Sequence, residues 1–271
     1  MDNRDFTRLL DRFALSADGY RRVRKGVQKR IVRHMQELQC PSLTAYLERL
    51  DADADAEQDA QRLMDVSISR FFRDEPLWQV LEKEILPAMI RENPGAMQVW
   101  SAGCALGQEV YSFALLWSMS GDKKAAGPAL EIWATDVNPA YLKKAIEGIY
   151  PARALAGIAA DTRARFFSPA GKKSLRASDE LREGIHWRIH DLAVDAPPAR
   201  DFHIVFLRNN LLTYYRKETI DAVLPKIAGC LRPAGFIAVG RKERLPDSLP
   251  GFVPHPVVPY LYRKNGVRLS Y

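Results

Sequence analysis

Two acidic side chains, Glu109 and Asp136, flank a glycine turn in a pattern that can bind a small polar ligand. Glu109 follows a run of small residues that contains Gly103 and Gly107, and Asp136 ends the apolar segment LEIWATD. Glycine allows a backbone to approach a ligand closely because it has no side chain and tolerates positive φ. A carboxylate at the tip of the next strand can accept hydrogen bonds from two ribose hydroxyls. The glycine run alone fits an ordinary strand-to-helix turn as well as it fits a ligand site. The presence of Asp136 favours the ligand site.

The spacing of these acids argues against a dinucleotide and for a cationic nucleoside. The turn lacks the GxGxxG fingerprint, and Asp136 lies further from it than the roughly 20 residues typical of a dinucleotide site. Glu109 would also repel a pyrophosphate from the amino terminus of the following helix. S-adenosylmethionine suits both acids, because it offers a ribose to Asp136 and an α-ammonium to a carboxylate such as Glu109.

A parallel sheet is the element that would bring these acids together. Apolar runs predict strands at residues 97–100, 130–136, 185–191, 202–207, 235–240 and 260–264. They alternate with helical patterns at residues 76–90, 109–117, 139–147 and 217–231. Such alternation is typical of an open α/β sheet, in which ligands bind outside the carboxyl ends of the strands. We therefore predict an α/β protein with the Rossmann-like sheet of S-adenosylmethionine-dependent methyltransferases, in which Asp191, Arg208 and Asn209 lie at strand ends.

Two smaller parts accompany this sheet. Residues 1–64 contain only helical patterns, at 5–14, 20–36, 42–50 and 54–64. The segment 149–184 mixes short possible strands with Pro169 and Gly171, and residues 152–184 are predicted to form a small inserted β-subdomain. We therefore expect a small all-helical N-terminal domain with its hinge at residues 1–75 and a cofactor-binding α/β domain at residues 76–271.

The predicted hinge carries an arginine suited to a carboxylate. Residues 65–74 read DVSISRFFRD, in which Phe71 and Phe72 precede Arg73. The phenylalanines would pack one domain against the other or stack on a flat ligand, and Arg73 would then lie near the cleft. A guanidinium can grip a carboxylate in two-point geometry. The alternative is that the phenylalanines are core residues and that Arg73 caps a helix.

Composition excludes several classes of protein. The chain has 271 residues, of which 47% are hydrophobic, and no apolar run approaches the ~20 residues that span a bilayer. The amino terminus has no secretory pattern, and three scattered cysteines suggest a reducing compartment, so we expect a cytoplasmic protein without membrane insertion. Cys104 has no histidine nearby in sequence to activate it and is expected to be a packing residue. His186 and His190 share a strand face without a third ligand, so no metal site is expected.

The net charge of +7 points to an acidic partner, and one stretch concentrates that charge. Residues 20–36 read YRRVRKGVQKRIVRHMQ and contain no acid. Val23, Val27, Ile31 and Met35 recur every four residues and predict a buried stripe. The remaining surface is basic, and an acid-free stretch favours a docking surface over an ordinary solvated face.

Seven motifs occur in the order found in one family of enzymes. They are FFRD, SAGCALGQEVYS, ATDVN, GIY, RIHDL, FLRNNLLTYY and AVGRKE. In this order they resemble the CheR-type chemoreceptor (protein-glutamate) methyltransferases over nearly the whole chain, including a basic helical domain at the front. The resemblance implies an α/β domain that binds S-adenosyl-L-methionine and a helical domain that docks on the cytoplasmic helices of a chemoreceptor-like protein. It further implies methyl transfer to receptor glutamates, with S-adenosyl-L-homocysteine as the product.

The resemblance also implies roles for individual residues. Glu109 would hold the methionine ammonium and Asp136 the ribose, beside the turn at Gly103. Arg73 would position the glutamate, and no general base is needed because an ionised carboxylate is already a nucleophile. Ser67, Ser69 and Arg73 would meet the cofactor or the acceptor from the hinge. The adenine side and the methyl-transfer crevice would be lined by Asp191 with Leu192 and by Arg208 with Asn209. The implied receptor-binding residues are Arg24, Lys29, Arg30 and Arg33.

Departures from the family's motifs leave two other functions open. Ser67 and Asp191 stand where the family has asparagines, and Thr213 stands where it has a tyrosine expected to border the acceptor. A regulatory protein that binds the cofactor with little or no turnover would fit these changes. A nucleic-acid methyltransferase would fit the basic charge, but the chain lacks the Asn/Asp-Pro-Pro-aromatic turn common in base-directed enzymes. We therefore expect no nucleic-acid partner.

Overall fold

The computed structural model describes residues 1–67, 69–92, 95–120 and 129–266. The chain divides into two units. One comprises Met1–Ser67 and Asn210–Asp221, and the other comprises Ile68–Asn209 and Ala222–Tyr271. We call them the helical unit and the α/β unit.

The helical unit begins with helices that surround a small apolar core. They are α1 (Asn3–Arg12), α2 (Ala17–Tyr20), α3 (Arg24–Glu37), α4 (Leu43–Ala52) and α5 (Ala54–Met64). Asp2, Ser42 and Asp53 begin α1, α4 and α5, because each side chain accepts a backbone N–H of the first turn. The core is formed by Phe6, Leu9, Val27, Ile31, Tyr46 and Leu50 among others.

The predicted helix at residues 20–36 is interrupted in the structure. α2 ends at Tyr20 and α3 begins at Arg24, because Tyr20 is drawn into the core and its hydroxyl donates to the carbonyl oxygen of Met64 at 3.0 Å. Val27 and Ile31 of the predicted stripe are fully buried, whereas Val23 and Met35 are half-buried. The basic residues therefore cover the rest of α3, as the pattern predicted.

Seven strands form the main sheet of the α/β unit. In chain order they are β1 (Met97–Ala102), β2 (Leu130–Asp136), β6 (Ile185–Ile189), β7 (Phe202–Leu207), β8 (Leu231–Val239), β9 (Phe252–Pro254) and β10 (Leu261–Lys264), and their order in the sheet is β6-β2-β1-β7-β8-β10-β9. The first five pair in parallel, while β10 is antiparallel to β8 and β9. The order reverses between β1 and β7, which is the point where open α/β sheets bind ligands. The predicted α/β fold is confirmed.

Helices alternate with these strands along the chain from residue 75 onward. They are α6 (Glu75–Val80), α7 (Leu86–Glu92), α8 (Gln108–Met119), α9 (Pro139–Glu147), α10 (Ala160–Phe166), α11 (Asp179–Arg182), α12 (Leu211–Tyr214) and α13 (Lys217–Gly229). The single helix predicted at residues 76–90 is divided by a π-helical turn at Leu81–Ile85. Pro87 accounts for the wider turn, because it has no backbone N–H and its ring clashes with the carbonyl four residues earlier. β8 begins before the predicted residue 235 because Leu231 already pairs with Phe202.

A second, smaller sheet lies in the predicted insertion. It consists of β3 (Ile149–Pro151), β4 (Phe167–Pro169) and β5 (Ser174–Ala177) in the order β3-β5-β4, all antiparallel. The strand at Ile149 lies before residue 152, where the inserted β-subdomain was predicted to begin. The pairing of β3 with β5 makes it part of this sheet, so the predicted start is three residues late.

The predicted domain boundary also differs from the structure. The helical unit ends at Ser67 rather than at residue 75, and it includes Asn210–Asp221 from the predicted α/β domain. Aromatic contacts explain this assignment, because the rings of Tyr20 and Tyr214 lie 5.1 Å apart and Tyr215 forms a bridge with Leu15. Within the described residues, no helix has the length and apolar character required to cross a membrane.

Candidate active site

The turn between β1 and α8 is built to approach a ligand. Gly103 and Gly107 have φ angles of 88° and 83°. The backbone N–H groups of Gly103 and Cys104 both donate to the carbonyl oxygen of Thr135, at 2.8 and 2.9 Å, and so fix the turn to the end of β2. A Cβ atom on Gly107 would lie 2.9 Å from the Cβ of Ala145. The predicted glycine turn therefore requires glycine for both its conformation and its close packing.

Asp136 lies beside this turn, at the carboxyl end of β2. Its two carboxylate oxygens accept backbone N–H groups from Ala105 at 2.8 Å and Asn138 at 2.9 Å. Burial raises the pKa of Asp136 above its usual value, although these two hydrogen bonds oppose the shift. Each carboxylate oxygen has two lone pairs, so one remains on each oxygen for a further donor. This arrangement fits the two hydroxyls of a ribose.

Glu109 is held at the start of α8 by two donors. The Oγ of Ser101 donates to its Oε1 at 2.7 Å, and Arg208 donates from Nη1 to its Oε2 at 3.0 Å. Arg208 also donates from Nη2 to the carboxylate of Asp74 at 2.6 Å. We call Asp74, Glu109 and Arg208 the acid–arginine cluster. The Nε of Arg73 also lies 4.0 Å from the Oδ2 of Asp74, so two carboxylates meet two guanidiniums here and their charges balance.

The turn that carries Arg73 is attached to this cluster. Phe72 and Asp74 both have left-handed backbones, with φ angles of 49° and 62°. The N–H of Phe72 donates to the Oγ of Ser112 at 2.9 Å, and Arg208 donates from Nη2 to the carbonyl oxygen of Arg73 at 2.9 Å. Asp74, rather than Arg73, occupies the position before α6. The alternative in which Arg73 caps that helix is therefore wrong.

The two phenylalanines before Arg73 pack within the α/β unit. The ring of Phe71 lies 5.0 Å from that of Tyr150, and the ring of Phe72 lies 5.5 Å from that of Trp78. Both phenylalanines are half-buried. They therefore help to fix the turn through ring contacts within the α/β unit, without being fully buried core residues.

Asp191 and Leu192 follow β6, which ends two residues earlier than predicted. The N–H of His190 donates to the carbonyl oxygen of Asp136 at 3.1 Å, so this segment lies on the same edge of the sheet as Asp136. The Oδ1 of Asp191 accepts the N–H of Ala193 at 2.8 Å, and Leu192 is buried. Asp191 thus shapes the loop, and its contact with an adenine stays a prediction.

Glu243 is a buried acid to which the sequence analysis assigned no role. Its Oε2 accepts the N–H groups of Asn209, at 2.9 Å, and of Gly240, at 2.5 Å. Asn209 has a φ of 53°, and a side chain on Gly240 would collide with its amide nitrogen. Glu243 therefore holds Asn209 at the end of β7. The signal was present, because the AVGRKE motif contains this acid.

The remaining predicted residues are divided between the two units. Ser69 belongs to the α/β unit, whereas Ser67 is the last residue of the first segment of the helical unit. On α3, Lys29 and Arg33 are exposed and Arg24 is half-buried. Arg30 is exposed but donates to the carbonyl oxygens of Leu63 and Asp65, at 2.9 and 2.8 Å. It therefore supports the end of α5, which was not predicted.

Cys104 lies inside the turn as a packing residue. It is buried, and burial raises the pKa of its thiol well above the ordinary value, so it is not a thiolate nucleophile at neutral pH. Within residues 1–67, 69–92, 95–120 and 129–266, no group of three or more metal-binding side chains is placed to hold a metal ion.

Unpaired polar atoms at this edge fit a polar cofactor. The Oε1 of Gln108 and the Nε of Arg208 are buried and have no hydrogen-bond partner within the described part of the chain. Buried polar groups are normally satisfied, so such atoms at a strand edge are consistent with a ligand site. Together with the open lone pairs of Asp136, they make the residues present suitable for S-adenosylmethionine.

Comparison with known proteins finds relatives of this chain. A chemotaxis protein methyltransferase from Listeria innocua is 29% identical over 219 residues, which cover 81% of each chain. An uncharacterised 104.1 kDa protein from Rhodobacter capsulatus is 33% identical over 222 residues, which cover 81% of this chain but only 23% of that one. A solved methyltransferase from Geobacter sulfurreducens aligns over 78% of this chain and 88% of its own, with 15% identity and a TM-score of 0.41.

The family model described as CheR methyltransferase, SAM binding domain, matches residues 67–254. That range contains the glycine turn, Asp136, the acid–arginine cluster and Glu243. The chain therefore belongs to the CheR methyltransferase family, and its cofactor is S-adenosyl-L-methionine.

Proposed function

We propose that this methyltransferase transfers a methyl group to glutamate carboxylates of a chemoreceptor-like signalling protein. The observation that carries the proposal is the position of Arg73. The guanidinium of Arg208 binds both the carbonyl oxygen of Arg73 and the carboxylate of Glu109. Arg73, which is suited to an acidic acceptor, is thereby linked to Glu109, which is suited to the methyl donor. The side chain of Arg73 is 29% exposed and its Nε lies 4.0 Å from the Oδ2 of Asp74, so an incoming carboxylate would reach it beside that acid.

The bound donor supplies an electrophilic methyl group on a sulfonium sulfur. A glutamate carboxylate oxygen would form the new bond to the methyl carbon as the sulfur–methyl bond breaks, and the bond electrons would stay on sulfur. The products would be a methyl ester and S-adenosyl-L-homocysteine. Because the acceptor is already ionised, the protein needs no general base and contributes mainly by positioning.

The residues of the α/β unit divide this positioning between donor and acceptor. Asp136 would bind the ribose and Glu109 the α-ammonium, beside the backbone at Gly103. Arg73 would hold the acceptor carboxylate in line with the methyl group. If Arg73 bound the carboxylate equally strongly in the ground state and the transition state, it would aid binding alone. Arg73 must therefore bind the carboxylate more strongly in the transition state, when it is aligned with the methyl group. The further cofactor contacts proposed within this unit come from Ser69, Asp191, Leu192 and Asn209.

The basic face of α3 is the proposed docking surface for the receptor. Lys29 and Arg33 are exposed and lie four residues apart, so they share one side of the helix, with Arg24 half-buried nearby in sequence. The acid-free sequence of this helix would complement a glutamate-rich coil. Arg30 is expected to contribute less to receptor binding than Lys29 and Arg33, because its guanidinium donates to carbonyl oxygens at the end of α5. The names of relatives as chemotaxis protein methyltransferases support this substrate class, and docking on cytoplasmic receptor helices would place the protein in the cytoplasm.

The test is transfer of labelled methyl from S-adenosyl-L-methionine to membranes that carry chemoreceptors. We expect base-labile methyl ester on the receptor, and Arg73→Ala should abolish it while leaving S-adenosyl-L-homocysteine binding intact. Label on added RNA or DNA would instead indicate a nucleic-acid methyltransferase. Binding without transfer to any receptor would indicate a cofactor-binding regulatory protein, the function suggested by Thr213.

The docking surface has its own test with a matched control. Reversing Lys29 and Arg33 to glutamate should raise the KM for the receptor by about tenfold or more, because like charges would then face each other. Arg4 and Arg8 on α1 are also exposed and four residues apart. Their reversal makes the same charge change and should leave the KM near that of wild type. Equal effects of both double variants would refute a specific role for α3.

A further inference from the structure

We propose that Arg208 is a positioning residue that couples occupancy of the donor site to the placement of Arg73. The inference rests on the proposed function, because it assigns the donor to Glu109 and the acceptor to Arg73. The sequence analysis placed Arg208 among the residues that line the cofactor crevice. The structure directs its guanidinium towards protein acceptors instead.

The guanidinium of Arg208 joins two segments of the α/β unit. Nη1 binds Glu109 of α8 at 3.0 Å, while Nη2 binds the carboxylate of Asp74 at 2.6 Å and the carbonyl oxygen of Arg73 at 2.9 Å. Only 4% of its side chain is exposed, against 15% for Glu109 and 16% for Asp74. A charge so little exposed to solvent depends on these partners, because burial without them is strongly unfavourable.

The turn at Arg73 depends on these bonds for its shape. Phe72 and Asp74 have left-handed backbones, which cost energy for side-chain-bearing residues and persist only when their surroundings enforce them. Aspartate is a preferred first residue of a helix because its carboxylate can accept N–H groups of the first turn. Asp74 precedes α6, which lies wholly within the described residues, yet its carboxylate makes no hydrogen bond to that helix and binds Arg208. Asp74 therefore binds Arg208 instead of capping α6.

The shared carboxylate of Glu109 makes this arrangement sensitive to the donor. Without the donor, two carboxylates meet two guanidiniums, because the Nε of Arg73 lies 4.0 Å from the Oδ2 of Asp74. The α-ammonium of the donor would take part of the Glu109 carboxylate, and Arg208 would then depend more on Asp74 and on the carbonyl oxygen of Arg73. Donor binding therefore strengthens the bonds that hold the turn at Arg73. By linkage, an ordered turn strengthens donor binding by the same factor.

Asp74→Asn isolates the charge in this mechanism. Asparagine has nearly the same shape, tolerates a left-handed backbone and can still accept a hydrogen bond from Arg208. It removes the negative charge on which Arg208 would depend once the donor occupies Glu109, so the donor no longer strengthens the turn. Arg208→Lys keeps the positive charge but loses the two-point grip, and it provides a second variant with a different defect.

The test measures hydrogen exchange at the turn with and without S-adenosyl-L-homocysteine, which retains the α-ammonium. The N–H of Phe72 is a direct reporter, because it is bonded to Ser112 and lies next to Arg73. In the wild type the ligand should slow its exchange by about tenfold, which corresponds to the coupling of 1 to 3 kcal/mol typical of linked sites. In Asp74→Asn and Arg208→Lys the ligand should still bind while this protection falls to less than about twofold, and kcat should fall more than the KM for the donor changes.

Asp179→Asn is the matched control, because Asp179 forms an ion pair with Arg182 and its side chain is fully exposed. It should behave as the wild type in every measurement. Ligand binding without protection of the turn in the wild type would refute the coupling and leave the proposed function intact. Protection equal to that of wild type in both cluster variants would also refute it. Failure of the wild type to bind the ligand would overturn the proposed function itself.

Discussion

Replacing Asp136 separates its two tasks, which are to bind the ribose and to hold the glycine turn. In the structure its carboxylate accepts the N–H groups of Ala105 and Asn138, one on each oxygen. Asparagine has a single acceptor oxygen, so its amide nitrogen would face one of these donors. Alanine would remove both acceptors. The two variants therefore lose different numbers of hydrogen bonds at one position.

The expected magnitudes follow from these counts. A hydrogen bond to a charged acceptor contributes about 1.5 to 3 kcal/mol, so Asp136→Ala should weaken S-adenosyl-L-homocysteine binding by about 10-fold to 150-fold. Asp136→Asn keeps a neutral acceptor for the ribose and should weaken binding by about fivefold to tenfold. Each orphaned backbone N–H should lower the free energy of unfolding by about 1 to 3 kcal/mol, once in the asparagine variant and twice in the alanine variant.

The pKa of Asp136 adds a dependence on pH. Burial raises this pKa in the folded protein, so the carboxyl is protonated at a higher pH than an ordinary aspartate. Ligand affinity should therefore fall as the pH is lowered through the raised value, and the asparagine variant should lack that step. Because the folded pKa lies above the unfolded one, protonation stabilises the fold. This contribution is complete below the unfolded pKa and is lost as the pH rises through the folded one.

Calorimetry of ligand binding and chemical unfolding without ligand would measure these quantities separately. Asp247 is exposed in the α/β unit, and Asp247→Asn controls for the loss of one charge. Unchanged affinity in Asp136→Ala would remove Asp136 from the cofactor site. A loss of affinity matched in full by a loss of folded protein would show that the residue only supports the turn.

Three other residues give measurable expectations. Glu243→Ala should lower the free energy of unfolding by about 2 to 6 kcal/mol because it orphans two backbone N–H groups, whereas glutamine keeps an acceptor and should cost less. Gly107→Ala should cost at least about 1 kcal/mol in thermal unfolding, since it combines positive φ with a collision, and Gly157→Ala, with open space around it, should cost little. Cys104 should resist iodoacetamide in the folded protein, because it is buried and its pKa is raised, while the half-buried Cys40 should react faster. The opposite order of reactivity would refute the packing role.

The sheet and its two principal acids could be predicted from the sequence because their signals are local. Apolar runs set the strands, and Asp136 closes one of them with an acid at the edge where ligands bind. Gly103 and Gly107 lie within a few residues of Glu109, so the turn and its acid were visible together. Periodicity and glycine placement act over short stretches of chain, and the structure retains them.

The features that escaped prediction depend on distant partners. Asp74 and Arg208 are 134 residues apart in sequence, and Glu109 and Arg208 are 99 apart. The assignment of Asn210–Asp221 to the helical unit likewise depends on contacts such as that of Tyr214 with Tyr20. No pattern within either segment indicates which distant side chain it meets. The break between α2 and α3 has the same origin, because Tyr20 is held by the end of α5.

An arginine at a strand end is ambiguous in sequence, because its long side chain can reach solvent, a ligand or neighbouring acids. Burial resolves the choice here, since a guanidinium 4% exposed and bonded to two acids is part of the protein's own charge balance. Charge also bears on ligand choice. The acids Glu109 and Asp136 both lie beside the glycine turn, so a pyrophosphate would meet repulsion there and a sulfonium nucleoside attraction. Charge, together with the glycine turn, therefore accounts for a methyl donor rather than a dinucleotide at this edge of the sheet.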